Sequence, residues 1–195
     1  MPGEKKLIPY KVEKGNRPKI EEVIENCLDG DLQAAAMDFA VWMRENKMPI
    51  KLCTSTTRSQ RADYMKEPIC NILIFNENDW NKVGGHNEGD PQYYKIAPWL
   101  IMLDMYEHRI AEEKLDSIKW NHYRPCNCAD RSKCWSKGVD RSILNKEFTH
   151  ICWFDRPLVI NPDEKTIEEI KRLLLLEKQA RDDYGQRPLA PQFRS

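Results

Sequence analysis

The apolar pattern of this chain changes period near Pro49, and that change limits the folds open to it. From Pro18 to Leu28 the residues Ile20, Val23, Ile24, Cys27 and Leu28 recur at i, i+3, i+4 and i+7, the spacing of one buried helix face. Pro18 suits a first turn, where its missing N–H costs no bond, and Gly30 suits an end. A second helix is expected from Leu32 to Asn46. Asp31 serves as its N-cap, and Ala36, Phe39, Ala40 and Met43 form its buried stripe. Beyond Pro49 the pattern is that of strands. Residues Pro49–Thr57 are rich in β-branched side chains, and Ile69–Phe75 (ICNILIF) is a short continuous apolar run, as in a buried strand. Between them RSQRADYMK reads as a hairpin loop or an irregular strand.

The second half is less regular. Residues 76–91 (NENDWNKVGGHNEGDP) are turn-rich and form a long loop. Glu77, Asp79, Glu88 and Asp90 lack the ordered oxygen spacing of a calcium loop, so a solvated loop is expected there, with His86 exposed. Tyr93–Met105 fits a strand followed by a helix, or a helix after Pro98. Glu107–Trp120 is expected to be helical, with Ile110, Leu115 and Ile118 inward. Leu158–Ile160 is a short strand. NPDEKT then opens a strong helix, Thr166–Tyr184, with Ile167, Ile170, Leu173, Leu174 and Ala180 as its apolar stripe and Gly185 as its stop.

Helices and strands do not alternate as βαβ units. The expected fold is therefore α+β, a small antiparallel sheet with helices packed against it and a cysteine-rich loop before the C-terminal helix. There is no internal repeat and no Pro-, Gly- or Ser-rich linker, so residues 1–185 are expected to form a single domain. Residues 1–16 read as an arm in which Leu7, Ile8, Tyr10 and Val12 pair as a short edge strand. Residues 186–195 (QRPLAPQFRS) are expected to be disordered.

Composition narrows the function classes. A chain of 195 residues with 41% hydrophobic residues can bury one core. Its mean hydropathy of −0.73 suits a small domain with polar arms. The 31 basic and 31 acidic residues cancel, so no whole-chain attraction to nucleic acid or an anionic membrane is expected. MPGEKKLIPYKVEKGN has no apolar core of a secretory signal, and no apolar run is long enough to span a bilayer. A cytoplasmic protein is expected. Seven cysteines, an odd number without a signal, argue against a disulfide framework. They are thiols, thiolates or metal ligands.

Four of the seven fall in the segment Trp120–Phe154, spaced C-x-C-x5-C and then a single cysteine: Cys126, Cys128, Cys134 and Cys152. Four thiolates can close a tetrahedral zinc site, with His122 and His150 as imidazole substitutes. One structural zinc ion is the cofactor expected. A polar loop with little core-forming sequence gains most from such a clip, because metal binding then supplies folding free energy. The spacing departs from the usual pair of C-x2-4-C knuckles. Free thiols, some buried under the last helix, are the alternative. Cys27 and Cys70 fit that alternative, since both sit on apolar faces, and Cys53 also reads as structural.

The same segment, with Lys119 just before it, carries Arg124, Arg131, Lys133, Lys137, Arg141 and Lys146 with Trp120, Tyr123 and Trp135 among them. Cations beside stacking rings are what single-stranded nucleic acid requires, so Arg131, Lys133 and Trp135 are the candidate contacts of a second reading. A third reading makes Cys134 a catalytic thiolate favoured by Arg131 and Lys133, with His122 or His150 as base. No known catalytic motif accompanies it. The six tryptophans could also line a small-molecule pocket.

Several stretches resemble a family of small uncharacterised bacterial proteins: FAVWMRENKM (Phe39–Met48), CNCADRSKC (Cys126–Cys134), LNKEFTHIC (Leu144–Cys152) and VINPDEKTIEEIKRLL (Val159–Leu174). In that family a Pro-Gly pair follows the third cysteine, where this chain has Trp135, Ser136, Lys137 and Gly138. The resemblance implies a compact α+β domain, a cytoplasmic setting and a recurring cysteine cluster, and it carries no activity. The function expected from the residues is a non-enzymatic ligand-sensing or interaction module, stabilised by a zinc or thiol cluster.

Overall fold

A strand hairpin and the apolar faces of two helices supply much of the buried core. In this computed structural model the described residues are 8, 17–52, 57–76, 92–115, 139–143, 146–151 and 157–185. The chain divides into two compact units, residues 1–97 with 159–168, and residues 98–158 with 169–195.

The first unit opens with α1 (Ile20–Cys27) and α2 (Gly30–Glu45), both on the expected faces. Ile20, Val23, Ile24 and Cys27 are buried on α1, and Ala36, Phe39, Ala40 and Met43 on α2. Fully burying each of the larger of these side chains is worth about 1.5–3 kcal/mol. Two boundary details differ from expectation. Gly30, with φ +55°, opens α2 instead of closing α1, and the N-cap is Asp29, not Asp31. The link Leu28–Asp29 is extended, and Gln33 Nε2 donates to Leu28 O at 2.7 Å, so a side chain satisfies the carbonyl where α1 stops.

A five-stranded antiparallel sheet follows, in the order β1-β2-β3-β4-β7, which confirms the α+β class. Its strands are β1 (Ile50–Leu52), β2 (Ser59–Tyr64), β3 (Glu67–Asn76), β4 (Gln92–Pro98) and β7 (Val159–Ile160). RSQRADYMK supplies β2, an inner strand with a bulge between Ala62 and Asp63. The register puts Ala62 opposite Cys70 and Gln60 opposite Ile72, all fully or almost fully buried. Because alternate residues point to opposite faces, the next row is wetter. Lys51, Arg61 and Asn71 stand opposite one another there, and the Lys51 side chain is 55% exposed. Lys51 and Arg61 both pair with Asp63, which is buried to 5% exposure beside the bulge.

The β2–β3 turn is made by Met65 and Lys66 with φ +50° and +69°, as a two-residue turn with mirror-image twist requires. At the other end β7 pairs with β4 through Lys95 opposite Ile160 and Ile96 opposite Val159. Asn161 prolongs that pairing after its backbone leaves the strand at φ +44°. Its N–H donates to Tyr94 O at 2.7 Å, and its Oδ1 accepts the Tyr94 N–H at 2.8 Å. Asparagine tolerates this left-handed conformation better than most residues.

The second unit holds α3 (Leu103–Glu112), the two-stranded hairpin β5 (Val139–Ile143) and β6 (Lys146–Ile151), and most of α4 (Glu164–Tyr184), which runs on from the first unit. Helix α3 starts four residues before the expected Glu107 and ends at Glu112, with Ile110 and Leu115 buried as expected. Ile118 lies outside the described residues. Helix α4 matches its expected span, and Gly185 at φ +74° terminates it. Asp163 caps it: Oδ1 accepts the Thr166 N–H at 2.8 Å, and the Asp163 carbonyl accepts the Ile167 N–H at 2.9 Å. Of the expected arm strand only Ile8 is described, and it is not in a strand. The expected 76–91 loop beyond Asn76 and the expected tail 186–195 lie outside the described residues.

Candidate functional site

The sequence places its chemistry between Cys126 and Cys152, and the hairpin β5–β6 is the described part of that segment. Antiparallel pairing sets Arg141 opposite Phe148, Ser142 opposite Glu147 and Ile143 opposite Lys146, and closes at Val139 opposite Ile151. A bulge lies between Val139 and Arg141. Asp140, Ser142, Lys146, Glu147 and Thr149 are exposed and Phe148 is half-buried, so both faces of the ribbon carry accessible side chains. Lys146 Nζ lies 5.4 Å from the centre of the Phe148 ring, within reach of a cation–π attraction. The sequence signal for this hairpin was the alternation VDRSI and KEFTHI around the pair Leu144–Asn145. Sequence reasoning treated it as cysteine-rich loop.

Cys126, Cys128, Cys134 and Cys152 lie outside the described residues, as do Arg131, Lys133, Trp135, His122 and Cys53. His150 is the fifth residue of β6. Among the described residues no group of three or more His, Cys, Asp or Glu side chains could hold a metal. Cys27 and Cys70 are buried free thiols, in keeping with the apolar faces they occupy. The Cys70 thiol donates to Asn71 O at 3.5 Å.

Sequence reasoning missed a buried polar cluster in the second unit. Glu177 and Arg181, one turn apart on α4, are 0% and 1% exposed. The Glu177 carboxylate accepts Arg181 Nε at 2.8 Å, the Tyr106 hydroxyl at 2.8 Å, and the backbone N–H groups of Ile101 and Met102 at 3.1–3.3 Å. Arg181 Nη2 donates to Trp99 O at 3.2 Å. The carboxylate thus takes donors at the N-terminus of α3, where backbone amides lack helical partners and negative charge is favoured. The buried carboxylate and guanidinium offset each other's charge, as burial demands. Its chemistry is that of a clamp joining α4 to the Trp99–Tyr106 turn. A periodic helix pattern hides it: Glu177 and Arg181 sit among acidic and basic residues on the same helix that are exposed.

In the first unit, the Tyr94 hydroxyl is fully buried and has no hydrogen-bond partner among the described residues. Burial pushes the phenol well above its ordinary value, and the nearby Cys70 and Asp38 push in the same direction. The same unit buries an unusual polar run, Thr57, Arg58, Ser59 and Gln60, at the entry to β2. Gln60 Nε2 donates to Thr57 O at 3.0 Å, and Arg58 Nη2 donates to Ile8 O at 3.1 Å.

No described helix is long and apolar enough to cross a membrane. No family model matches this chain, and neither a curated protein nor a solved structure does.

Proposed function

We propose that this protein is a non-enzymatic interaction module whose β5–β6 ribbon is held at its base by a zinc ion on Cys126, Cys128, Cys134 and Cys152. The observation that carries the reading is the pairing of Val139 with Ile151. Seventeen residues separate Cys134 from Cys152, too many for a compact knuckle, but thirteen of them, 139–151, make up the hairpin. Paired Cα atoms lie about 4.5–5.5 Å apart and consecutive ones about 3.8 Å. Covalent geometry alone therefore keeps the Cα of Cys152 within about 10 Å of Val139. Cys134 is five residues upstream of Val139, a span of at most about 17 Å, so the two ends of the long gap can meet at one ion.

A two-stranded hairpin is marginal in water by itself. Here Asp140, Ser142, Lys146, Glu147 and Thr149 are exposed and Phe148 is half-buried. A tetrathiolate clip supplies the missing term, with bond lengths near 2.3 Å. The exposed side chains of Ser142, Glu147 and Thr149 are the surface such a ribbon would offer a partner.

The test is elemental analysis of the purified protein with a thiol count before and after chelation. About one zinc per chain is expected, with up to four further thiols titrating once the chelator acts. Amide exchange in β6 should then accelerate while β2 and β3 stay protected. Metal-free protein that is folded and has all its thiols titratable from the start would overturn the reading.

A further inference from the structure

Helix α2 carries a second apolar stripe on the side away from its core face. Ala36, Phe39, Ala40 and Met43 are its buried residues. Met37 and Val41 each stand two positions from Phe39, about 160° round the axis at 3.6 residues per turn. Ala34 precedes Met37 by one turn on the same side. Ala34 is exposed, Met37 is half-buried and Val41 is 43% exposed. The steps from Ala34 to Met37 to Val41 are the alternation that forms a coiled-coil seam. Scattered exposed apolar residues are ordinary, but a stripe at this spacing is matched along its length by another helix.

An acidic row borders the stripe. Asp31, Asp38 and Glu45 are all exposed and recur at a seven-residue interval. Asp31 precedes Ala34 by three residues, Asp38 precedes Val41 by three, and Glu45 follows Val41 by four. At these separations the carboxylates are surface neighbours of the seam. They hold the flanking place where paired helices carry the charges that choose a partner. Arg44, the one basic residue of α2, is in a salt bridge with Glu21 of α1. An antiparallel second copy would set like flanks together, Asp31 against Glu45 and Asp38 against Asp38. The row therefore disfavours that self-pairing and favours a cationic helix.

We propose that the outer face of α2 docks an amphipathic helix of a partner protein, its apolar side on Ala34, Met37 and Val41 and a row of lysine or arginine side chains against Asp31, Asp38 and Glu45. The sixteen residues of α2 span about 24 Å, room for a small and reversible helix-on-helix contact. The seam supplies the buried area, and the charged row supplies register and an attraction that salt weakens. The contact lies on the first unit and does not depend on the cysteine cluster.

The experiment uses the full-length chain and two fluorescein-labelled helical peptides of three heptads, about 21 residues each. Both have leucine at the two seam positions. One has lysine at both flanking positions of every heptad, and the other has glutamate there. By anisotropy, the lysine peptide is expected to bind the unaltered chain at least about tenfold more tightly than the glutamate peptide. Val41→Asp, at an exposed position, should weaken the lysine peptide about tenfold although it adds an acidic group. That loss separates docking on the seam from attraction to charge alone. Asp31→Lys with Glu45→Lys should weaken the lysine peptide and tighten the glutamate peptide, each at least about threefold.

If the two peptides bind the unaltered chain equally, or the lysine peptide binds folded Val41→Asp as well as before, the proposal falls. Sedimentation tests the other occupant. A dimer of the unaltered chain that Val41→Asp dissociates would assign this face to a second copy and overturn the proposal.

Discussion

Glu177 Oε1 lies 2.8 Å from Arg181 Nε, with both residues almost wholly excluded from water. The i, i+4 spacing is the same as in a surface pair, but the consequences differ. An exposed pair at this spacing is worth about 0.3–0.5 kcal/mol. A buried pair that loses one partner leaves an uncompensated charge, at a cost of about 3–5 kcal/mol. Glu177→Ala is therefore expected to lower the unfolding free energy by at least about 3 kcal/mol, since it strands Arg181 and frees the Ile101 and Met102 amides together. Tyr106→Phe removes one bond to a charged group and should cost about 1.5–3 kcal/mol. Urea denaturation of the two variants checks the order. A Glu177→Ala cost below that of Tyr106→Phe would show that the clamp is not the hub of this turn.

Replacing Tyr94 by phenylalanine should have the opposite sign. Its hydroxyl is buried without a partner among the described residues, and an unsatisfied buried hydroxyl costs about 1–3 kcal/mol. Tyr94→Phe is expected to be neutral or stabilising by about 1 kcal/mol. It should also alter the alkaline limb of the stability curve. The folded phenol holds its proton above the ordinary value near 10, so the unfolded chain binds fewer protons once pH exceeds that value. Stability present below pH 10 is then lost as pH rises toward the folded value. Tyr94→Phe should lose less stability between pH 9 and 11, as thermal melts across that range would report. Equal losses in both proteins would refute the assignment.

The residues legible from sequence were those whose position alone fixes their environment. The stripes of α1 and α2 and the apolar run of β3 were read correctly because helical period and strand burial are local properties. The strand β2 was only half legible. RSQRADY has charges and no apolar run, yet β1 and β3 pair with it on both sides. Tertiary pairing thus overrode a weak local preference. The Glu177 clamp was not legible for a related reason: its donors are backbone amides and a hydroxyl some 70 or more residues away in the chain. For the cysteine cluster, sequence showed the residue types and their spacing, and the described structure adds only the β5–β6 hairpin that lies between Cys134 and Cys152.

The α4 cap sets an acid-side test. Asp163 is held below its ordinary value, first by hydrogen bonding with the Thr166 side chain and backbone and then by Lys165 nearby. A carboxyl with a lowered folded value stabilises above its unfolded value near 4, and that contribution disappears as pH falls through the folded value. Asp163→Ala should lower the melting temperature at pH 7, and the gap to the unaltered chain should narrow below pH 4. Asp163→Asn should keep most of the cap at pH 7, because its Oδ1 can accept the Thr166 N–H. A gap that stays constant from pH 7 to pH 3 would mean that the cap acts without its charge.

The β2–β3 turn offers a gain in stability through its backbone. Met65 and Lys66 both adopt positive φ, where a side chain other than glycine or asparagine costs roughly 1–2 kcal/mol. Met65 is 48% exposed, so replacing it forfeits little burial. The pair Asn-Gly fits this turn type with the least strain and matches the twist of the flanking strands. The double replacement Met65→Asn, Lys66→Gly is expected to raise the unfolding free energy by about 1–2 kcal/mol, with the slope of the urea transition unchanged. Since the register on either side runs from Tyr64 opposite Glu67 inward, a tighter turn should also speed folding if this hairpin forms early. A loss of stability on this replacement would mean that Met65 makes a contact worth more than the strain its backbone carries.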